Sequence, residues 1–404
     1  MNDSQTAEVA IVGGGIVGAT LALALVDAAR IAPQRIVVIE PAPPAAPLPG
    51  APFGLRVSAI APVNRARFQR LGVWPRLQAV RICCYERMRV WHESLPPDSP
   101  DVLVFDAAEA GEPDLGCIVE NAALQAALLE ACAERGILVV PTALQSMRVD
   151  ADGARLQLDD GSLLAELAVG ADGANSAARR WVQMPTSQHE YHQRAIVAVV
   201  QPARSHARTA WQRFLATGPL ALLPLPGDLL SIVWSVTDSR ADELLAMPPE
   251  QFNAALTVAS AGVLGELTLV GERAAFPLRR MAAGRYVQPR IALVGDAAHV
   301  IHPLAGQGVN QGLEDAASLT AHLSRRPAGE SVGALAALLA YQRERRAENA
   351  LVGAVVDGLD RLFTRPSGVV TRLAREGMAL VARIGPARQA LVRQAVSGRS
   401  WPRK

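Results

Sequence analysis

The sequence has few aromatic residues and almost no excess of charge of either sign. Phe, Trp and Tyr make up 4% of 404 residues, and 40 Lys and Arg face 38 Asp and Glu, which gives a net charge of +2. Without a basic excess or aromatic stacking platforms, this composition argues against a nucleic-acid partner. Half of the residues are hydrophobic, so the composition predicts a globular chain with a large core and excludes disorder of the whole.

Cysteines are also scarce. The four of them form no CxxC motif and no zinc-site spacing, and they are Cys83, Cys84, Cys117 and Cys132. Adjacent cysteines are poorly placed to pair with each other. We therefore expect reduced, buried thiols, a cytoplasmic location and no metal site.

One uncharged stretch, residues 10–26, approaches the length of a membrane span. Asp3 and Glu8 precede it where a signal peptide would be basic, and glycines crowd its start. We expect no targeting or membrane-spanning segment, because a cofactor-binding turn explains these glycines better.

The N-terminal segment has the pattern of a dinucleotide site. An apolar strand at residues 8–12 leads into the glycines of a G-x-G-x-x-G motif, Gly13, Gly15 and Gly18, and then into a helical stretch. A second strand ends at Glu40, about 20 residues further on, where a carboxylate can bind ribose hydroxyls and would repel a 2′-phosphate. This pattern favours the adenosine half of FAD or NAD over NADP.

Two further strands end in Gly-Asp turns, one at Asp172 and one at Asp296. An aspartate beside a helix N-terminus can bind a polyol hydroxyl while the amides receive phosphate oxygens. FAD has a ribityl chain for such a carboxylate and NAD has none. A glycine-rich loop at residues 302–312 follows, and a helix beginning near Gln307 would direct its positive end at a flat ring system.

These three ordered motifs resemble the class A flavoprotein aromatic hydroxylases, which have the p-hydroxybenzoate hydroxylase fold. Five stretches more narrowly resemble the ubiquinone-biosynthesis hydroxylase family, which includes the bacterial Ubi hydroxylases and VisC and the mitochondrial Coq relatives. They are residues 55–60, 71–74, 119–121, 302–310 and 360–363. The resemblance covers nearly the whole chain, with one departure: Gln311 stands where relatives usually have Leu.

The resemblance implies a set of FAD-binding residues. Asp296 binds the ribityl chain, Glu40 the adenosine ribose, and Asp172 serves both the structure of the cofactor loop and the encounter with a pyridine nucleotide. Arg56 and Gln125 lie against the cofactor. The flavin ring is lined by Gly306, Gln307, Gly308, Val309 and Asn310, while His302 and Pro303 face the flavin or substrate. His299 is expected to pack or cap within the cofactor domain.

The implied reaction is hydroxylation of the aromatic ring of a polyprenylphenol precursor of ubiquinone through a flavin C4a-hydroperoxide. The flavin carries the chemistry, and the protein supplies orientation and a dry pocket. Because the single fingerprint is used by FAD, NAD(P)H or another electron donor binds only transiently. Two alternatives stay open: a class A hydroxylase of a soluble or secondary-metabolite aromatic, and a flavoprotein scaffold in a biosynthetic complex with little turnover.

The predicted fold is α/β, with a Rossmann-like FAD-binding domain, an inserted mixed β-sheet substrate domain and a C-terminal helical segment. The boundaries are 1–180 for the first FAD-binding part, with a substrate-domain excursion at about 81–116, then 181–276 for the substrate domain, 277–345 for the second FAD-binding part and 346–404 for the C-terminal helices. Residues 220–226 would form an apolar wall, and the Pro-rich residues 41–50 an exposed loop.

The C-terminal region has two charged segments. Residues 341–346 are expected to be a solvated polar face. Residues 369–396 interleave apolar residues with arginines, and such a segment can lie on an anionic membrane. Peripheral contact with the inner membrane surface, packing on the protein body and packing on a partner of a ubiquinone-biosynthesis complex all stay open.

Overall fold

Two large sheets and one small sheet organise the part of the chain that the computed structural model describes, residues 5–48, 50–77, 81–301 and 307–364. The strands are β1 (Gln5–Val12), β2 (Ile36–Ile39), β3 (Val57–Ile60), β4 (Ile82–Tyr85), β5 (Arg87–His92), β6 (Leu103–Asp106), β7 (Gly116–Glu120), β8 (Leu138–Val140), β9 (Leu144–Val149), β10 (Ala154–Leu158), β11 (Gly161–Gly170), β12 (Thr186–Pro202), β13 (Thr209–Leu215), β14 (Gly218–Pro224), β15 (Leu230–Thr237), β16 (Leu267–Ala283), β17 (Val287–Gln288), β18 (Ile291–Leu293) and β19 (His299–Val300). The α-helices are α1 (Ile16–Ala29), α2 (Pro62–Arg70), α3 (Asn121–Glu134), α4 (Ala177–Trp181), α5 (Asp238–Ala246), α6 (Pro249–Ala259), α7 (Gln307–Ser324) and α8 (Leu335–Thr364).

The first sheet has the strand order β17-β18-β11-β1-β2-β8, and β9 and β10 extend it beside β11. Strands β18, β11, β1, β2 and β8 pair in parallel. All four residues of β2 are buried, as expected for a parallel strand covered on both faces. The carboxyl ends of parallel strands share one edge of a sheet, so the turns after β1, β2, β11 and β18 lie together there.

The second sheet has the order β19-β16-β12-β15-β14-β13-β5-β6 and is antiparallel except where β13 pairs with β5. One face packs on α5 and α6 around Ile196, Ile232 and Phe252. We call this second sheet the substrate sheet, because most of its strands lie within the predicted substrate domain. Together with the parallel sheet and the long C-terminal helix α8, it confirms the predicted fold class.

The predicted domain boundaries remain a prediction. Strands β5 and β6 lie within the excursion at 81–116 and join the substrate sheet. Strand β16 (Leu267–Ala283) continues through the boundary between residues 276 and 277.

The small sheet, with the order β3-β7-β4, corrects the cysteine prediction. Cys84 and Cys117 are direct partners on antiparallel strands and are joined by a disulfide. The expectation of reduced thiols was wrong for this pair, because strand pairing brings together residues that lie 33 positions apart. Cys83 and Cys132 are free, and burial raises the pKa of Cys132 to about 12.

The prediction for residues 341–346 was also wrong in part. Tyr341, Arg345 and Asn349 are buried, whereas Arg343 and Arg346 are exposed. Residues four apart share one face of a helix, and this face of α8 packs against α7 and β17. Only the opposite face is solvated.

None of the described helices combines the length and apolar character that a membrane span requires. The apolar stretch at 10–26 is divided between β1, the glycine turn and α1. The arginine-containing segment at 369–396 lies outside the described residues.

Candidate active site

The turn after β1 is tightly packed on the turn after β11. Gly13 has a φ of +105°, and a Cβ on it would clash with the backbone of Ala171. A Cβ on Gly18 would clash with the carbonyl oxygen of Gly13. Gly15, by contrast, has open space where a Cβ would stand. Two glycines therefore close the turn, and the third leaves room for a ligand against the backbone.

Glu40 and Gln125 hold this turn from the side of β2 and α3. Glu40 Oε2 accepts a hydrogen bond of 2.9 Å from Gly14 N, and its Oε1 accepts one of 3.1 Å from Ala42 N. Gln125 Nε2 donates to Gly14 O over 3.1 Å. A carboxylate has about four acceptor positions, so Glu40 keeps capacity for a ribose hydroxyl.

Asp172 supports the turn after β11. Its Oδ1 accepts a hydrogen bond of 2.5 Å from Ser176 Oγ, and its Oδ2 accepts one of 3.0 Å from Ala178 N at the start of α4. Its side chain thus ties the loop next to Gly13 to the first turn of α4, whose N-cap residue is Ser176.

Asp296 lies in the short turn after β18 and is exposed, while its neighbours Gly295 and Ala297 are buried. Protein nevertheless surrounds the carboxyl group and raises its pKa by desolvation, and the charges of His299 and Arg56 oppose this shift. Arg56 is exposed, and its carbonyl oxygen accepts from Asn121 N over 3.0 Å. The structure thus brings the cationic Arg56 and the candidate ribityl-binding carboxylate within electrostatic range.

The glycine-rich loop is described only from its helical part onward. His302, Pro303 and Gly306 lie outside the described residues, and α7 begins at Gln307, as predicted. Gly308 and Val309 are partly exposed, and a Cβ on Gly308 would meet open space.

Asn310 is held by three hydrogen bonds of its side chain. Its Oδ1 accepts from Ala61 N and Asn64 Nδ2 over 3.1 and 2.9 Å, and its Nδ2 donates to Ala59 O over 2.7 Å. Its side chain thus joins α7 to β3 and α2.

Sequence reasoning missed two buried ion pairs next to these turns. Arg81 pairs with Glu120 over 3.0 Å and also donates to the carbonyl oxygens of Leu48, Ala51 and Pro52. Arg345 pairs with Asp315 over 2.7 Å behind the Asp296 turn. Glu120 belongs to a stretch noted for its resemblance and Asp315 does not, but the partners of both are distant in sequence, so no local pattern could reveal the pairs.

The residues present fit FAD. The space at Gly15 admits a pyrophosphate next to the N-terminus of α1, which has no side-chain cap and no acidic residue in its first turn. Glu40 at the end of β2 offers the ribose acceptor, and Asp296 offers an exposed carboxylate to a polyol chain. The parallel sheet brings these groups to one edge.

The comparisons with known proteins agree with this geometry. The FAD binding domain family matches residues 6–353. The ubiquinone hydroxylase UbiL of Rhodospirillum rubrum is 38% identical over 97% of this chain and 90% of its own length. The chain belongs to the FAD-dependent ubiquinone hydroxylase family.

Other relatives of this hydroxylase span bacteria and mitochondria. The 3-demethoxyubiquinol 3-hydroxylase of Escherichia coli is 38% identical, covering 88% of this chain and 89% of that protein. The human mitochondrial ubiquinone biosynthesis monooxygenase COQ6 is 31% identical, covering 95% and 91%. The family assignment makes this protein an FAD-dependent aromatic-ring monooxygenase with FAD as its cofactor.

Solved structures support the fold. The p-nitrophenol 4-monooxygenase PnpA of Pseudomonas putida has a TM-score of 0.76 at 17% identity, covering 98% of this chain and all of that one. HpxO of Klebsiella pneumoniae, complexed with FAD and uric acid, has a TM-score of 0.70 at 19% identity, covering 95% and 96%. At these identities the similarity concerns the fold alone.

Proposed function

We propose that this hydroxylase oxidises the aromatic ring of a polyprenylated phenol in ubiquinone biosynthesis. The names of its near-full-length relatives support the pathway. One observation supports a prenylated substrate: the face of the substrate sheet opposite α5 and α6 is apolar.

This face is apolar along three neighbouring strands. Val197 on β12 pairs with Val233 on β15, which pairs with Ala221 on β14. Val197 and Val233 pack with Leu55, the neighbour of Arg56. The same face also has two buried polar residues. Gln212 pairs with Ala221 and Ser231 pairs with Leu223, and paired residues share a face. The apolar surface therefore adjoins the cofactor turns, as a prenyl chain attached to a reacting ring requires.

The predicted apolar wall at 220–226 is divided between the two faces of the sheet. Leu220 and Leu222 belong to the core under α5 and α6, whereas Ala221 and Leu223 are partly exposed on the opposite face. This alternation follows from the two-residue period of a strand. Only Ala221 and Leu223 are placed to meet a substrate.

The contribution of the chain to the reaction is binding, orientation and exclusion of water. Bound, reduced FAD would supply the two electrons that activate O2, so that one oxygen atom is transferred to the ring and the other is released as water. Asp296 would hold the ribityl chain, Glu40 the adenosine ribose, and the amides at the start of α1 the pyrophosphate. The start of α7 would place its positive end near the flavin. Val197 and Val233 would keep water from the reacting ring.

We also propose how electrons and substrate arrive. Because the Gly13–Gly18 motif serves FAD, NAD(P)H or another donor is used in a transient encounter. Peripheral contact with the inner membrane surface, or with proteins of a ubiquinone-biosynthesis complex, would supply the apolar substrate. The arginine-containing segment at 369–396 is the candidate for this contact.

Substrate-stimulated oxygen uptake by the purified, FAD-loaded protein tests the substrate class, with NAD(P)H or photochemical reduction of FAD as the source of electrons. A prenylated phenol should stimulate uptake and yield the hydroxylated product, and free 4-hydroxybenzoate should not. Val233→Asn should raise the KM for the prenylated phenol. Val258→Asn is the control, because Val258 is 76% exposed on α6 and should leave that KM unchanged.

Two outcomes contradict the proposal. Turnover of the soluble acid with no response to the prenylated phenol would support a hydroxylase of soluble aromatics. Bound FAD without oxygen uptake on either compound would support a scaffold role.

A further inference from the structure

A buried polar cluster lies behind the Asp296 turn, and the proposed reaction does not use it. It consists of Asp315 and Gln311 on α7, His299 on β19, and Arg345 and Asn349 on α8. Asp315 is 0% and Arg345 2% exposed. Buried charges at this depth are retained only where they are paired and hydrogen-bonded.

Asp315 is the centre of this cluster. Its Oδ2 accepts from Gly295 N over 2.9 Å and from His299 Nε2 over 2.5 Å. Its Oδ1 accepts from Arg345 Nε over 2.7 Å and from Asn349 Nδ2 over 3.3 Å. One carboxylate therefore joins the cofactor turn, β19 and α8 to α7.

Arg345 extends the cluster to the start of α7. Its Nη2 donates to Gln311 Oε1 over 3.0 Å and to Asn349 Oδ1 over 2.9 Å, and its Nη1 pairs with Glu348. Gln311 follows Asn310, the last residue of the candidate flavin loop, and it departs from the usual family Leu. The amide oxygen of Gln311 accepts a hydrogen bond from Arg345, which a leucine could not do.

The carboxylate of Asp315 is compensated within the cluster. Burial alone would raise the pKa of Asp315, but the charges and hydrogen bonds of His299 and Arg345 hold this pKa below its ordinary value. Asp315 is therefore an anion that accepts on both oxygens. An asparagine could satisfy only one of these two donor sets, because its NH2 group cannot accept.

Asp315 of the cluster and Arg179 outside it hold the backbone on either side of Asp296. Gly295 N is held by Asp315, and Ala297 O accepts from Arg179 Nη1 over 2.7 Å. The Asp296 side chain is itself exposed, so its position follows from these two anchors.

We propose that Asp315 and Arg345 are positioning residues for FAD, which hold the Asp296 turn and the start of α7 in the arrangement that the cofactor requires. Helix α8 thereby takes part in the cofactor site without touching the cofactor. The inference rests on FAD dependence and not on the identity of the aromatic substrate, so its failure is distinguishable from that of the proposed function.

The test separates positioning from stability by comparing single and double variants. Arg345→Met leaves Asp315 buried and unpaired, so both the thermal midpoint of the apoprotein and FAD affinity should fall. The Kd for FAD should rise about 10-fold or more, which corresponds to at least about 1.4 kcal/mol. In Asp315→Leu/Arg345→Met no fully buried carboxylate is left unpaired, since Glu348 is partly exposed, so the thermal midpoint should recover. The Kd should stay raised, because Gly295 N has lost its acceptor.

Two further variants complete the design. Arg213→Met is the matched control, since Arg213 on β13 donates to Val258 O and Ala259 O at the end of α6; it should lower the thermal midpoint of the apoprotein without changing the Kd for FAD. Gln311→Leu removes only the contact with Arg345, so it keeps the test available if Arg345→Met does not fold. Gln311→Leu should shift the redox midpoint potential of the flavin and leave the thermal midpoint of the apoprotein near the wild-type value.

Recovery of FAD affinity in step with stability in the double variant would show that the cluster is merely structural. An unchanged Kd and flavin potential in Gln311→Leu, together with an unchanged Kd in Arg345→Met or its failure to fold, would also overturn the proposal.

Discussion

At the scale of single residues, Gly15 and Gly18 have opposite steric surroundings, and alanine substitution separates their roles. A methyl group at Gly15 would enter open space, whereas one at Gly18 would clash with the Gly13 carbonyl. We predict that Gly15→Ala keeps the stability of the apoprotein and weakens FAD binding. Gly18→Ala should lower the free energy of unfolding by about 1–3 kcal/mol.

Denaturant unfolding of the apoproteins and FAD titration by fluorescence would measure the two effects. If Gly15→Ala bound FAD like wild type, the pyrophosphate would not lie against this turn.

Asp296 predicts a pH dependence of FAD binding. Protein surrounding the carboxyl group raises its pKa, so the carboxylate is lost at a higher pH than for an ordinary aspartate. FAD affinity should fall as the pH is lowered through this raised pKa, because the protonated form is a weaker acceptor for ribityl hydroxyls. Apoprotein stability should change in the opposite direction: it falls as the pH rises from the ordinary carboxyl value through the raised one.

Equilibrium titration of FAD across the acidic range would measure this dependence. Asp296→Asn should bind FAD more weakly and remove the carboxyl-dependent part of the pH profile. A variant profile with the same acidic inflection as wild type would assign the titration to another group.

At the scale of elements, the buried pair of Arg81 and Glu120 anchors the Pro-rich loop. Both residues are 3% exposed, and Glu120 also accepts from Gly54 N over 2.9 Å. We predict that Arg81→Met lowers the free energy of unfolding by about 3–5 kcal/mol, because it leaves Glu120 buried without its cation. Proteolysis within residues 41–54 should accelerate, since the loop loses its hydrogen bonds to Arg81.

Arg76→Met is the control for this prediction. Arg76 pairs with Glu134 at the surface, and exposed pairs contribute little, so its unfolding curve should overlay that of wild type. Equal effects of the two substitutions would argue against a special role for the buried pair.

Local patterns predicted the elements that carry the cofactor motifs. The strand before Gly13, the strand ending at Glu40 and the start of α7 at Gln307 were predicted because strand runs, glycine turns and helix starts are encoded within short segments. Pairings between distant segments were not predictable. Asp315 meets Arg345, and Cys84 meets Cys117, only after helices and strands have packed.

The burial of one face of α8 shows the same limit. Arginine and glutamate in residues 341–346 suggested solvent, and the i, i+4 spacing of Tyr341, Arg345 and Asn349 carried the opposite information. Charge composition alone could not reveal that Asp315 supplies a buried counter-charge.

At the scale of the whole molecule, the order of three strand-and-turn motifs predicted the fold class, because they place FAD across one edge of a parallel sheet. The substrate sheet was only partly predictable. Strands β5 and β6 precede the second cofactor motif in the sequence, and β12–β16 follow it. Which residues share the face opposite α5 and α6 follows from register, which single-sequence patterns do not specify.

The central claim is that this protein hydroxylates a prenylated precursor of ubiquinone. The most direct measurement is mass spectrometry of lipid extracts from cells that lack the gene and any redundant hydroxylase, complemented with wild-type protein or with Asp296→Ala. We predict that a prenylated precursor lacking one hydroxyl accumulates in the deletion strain, disappears with wild type and persists with the variant. An unchanged ubiquinone pool in the deletion strain would contradict the claim.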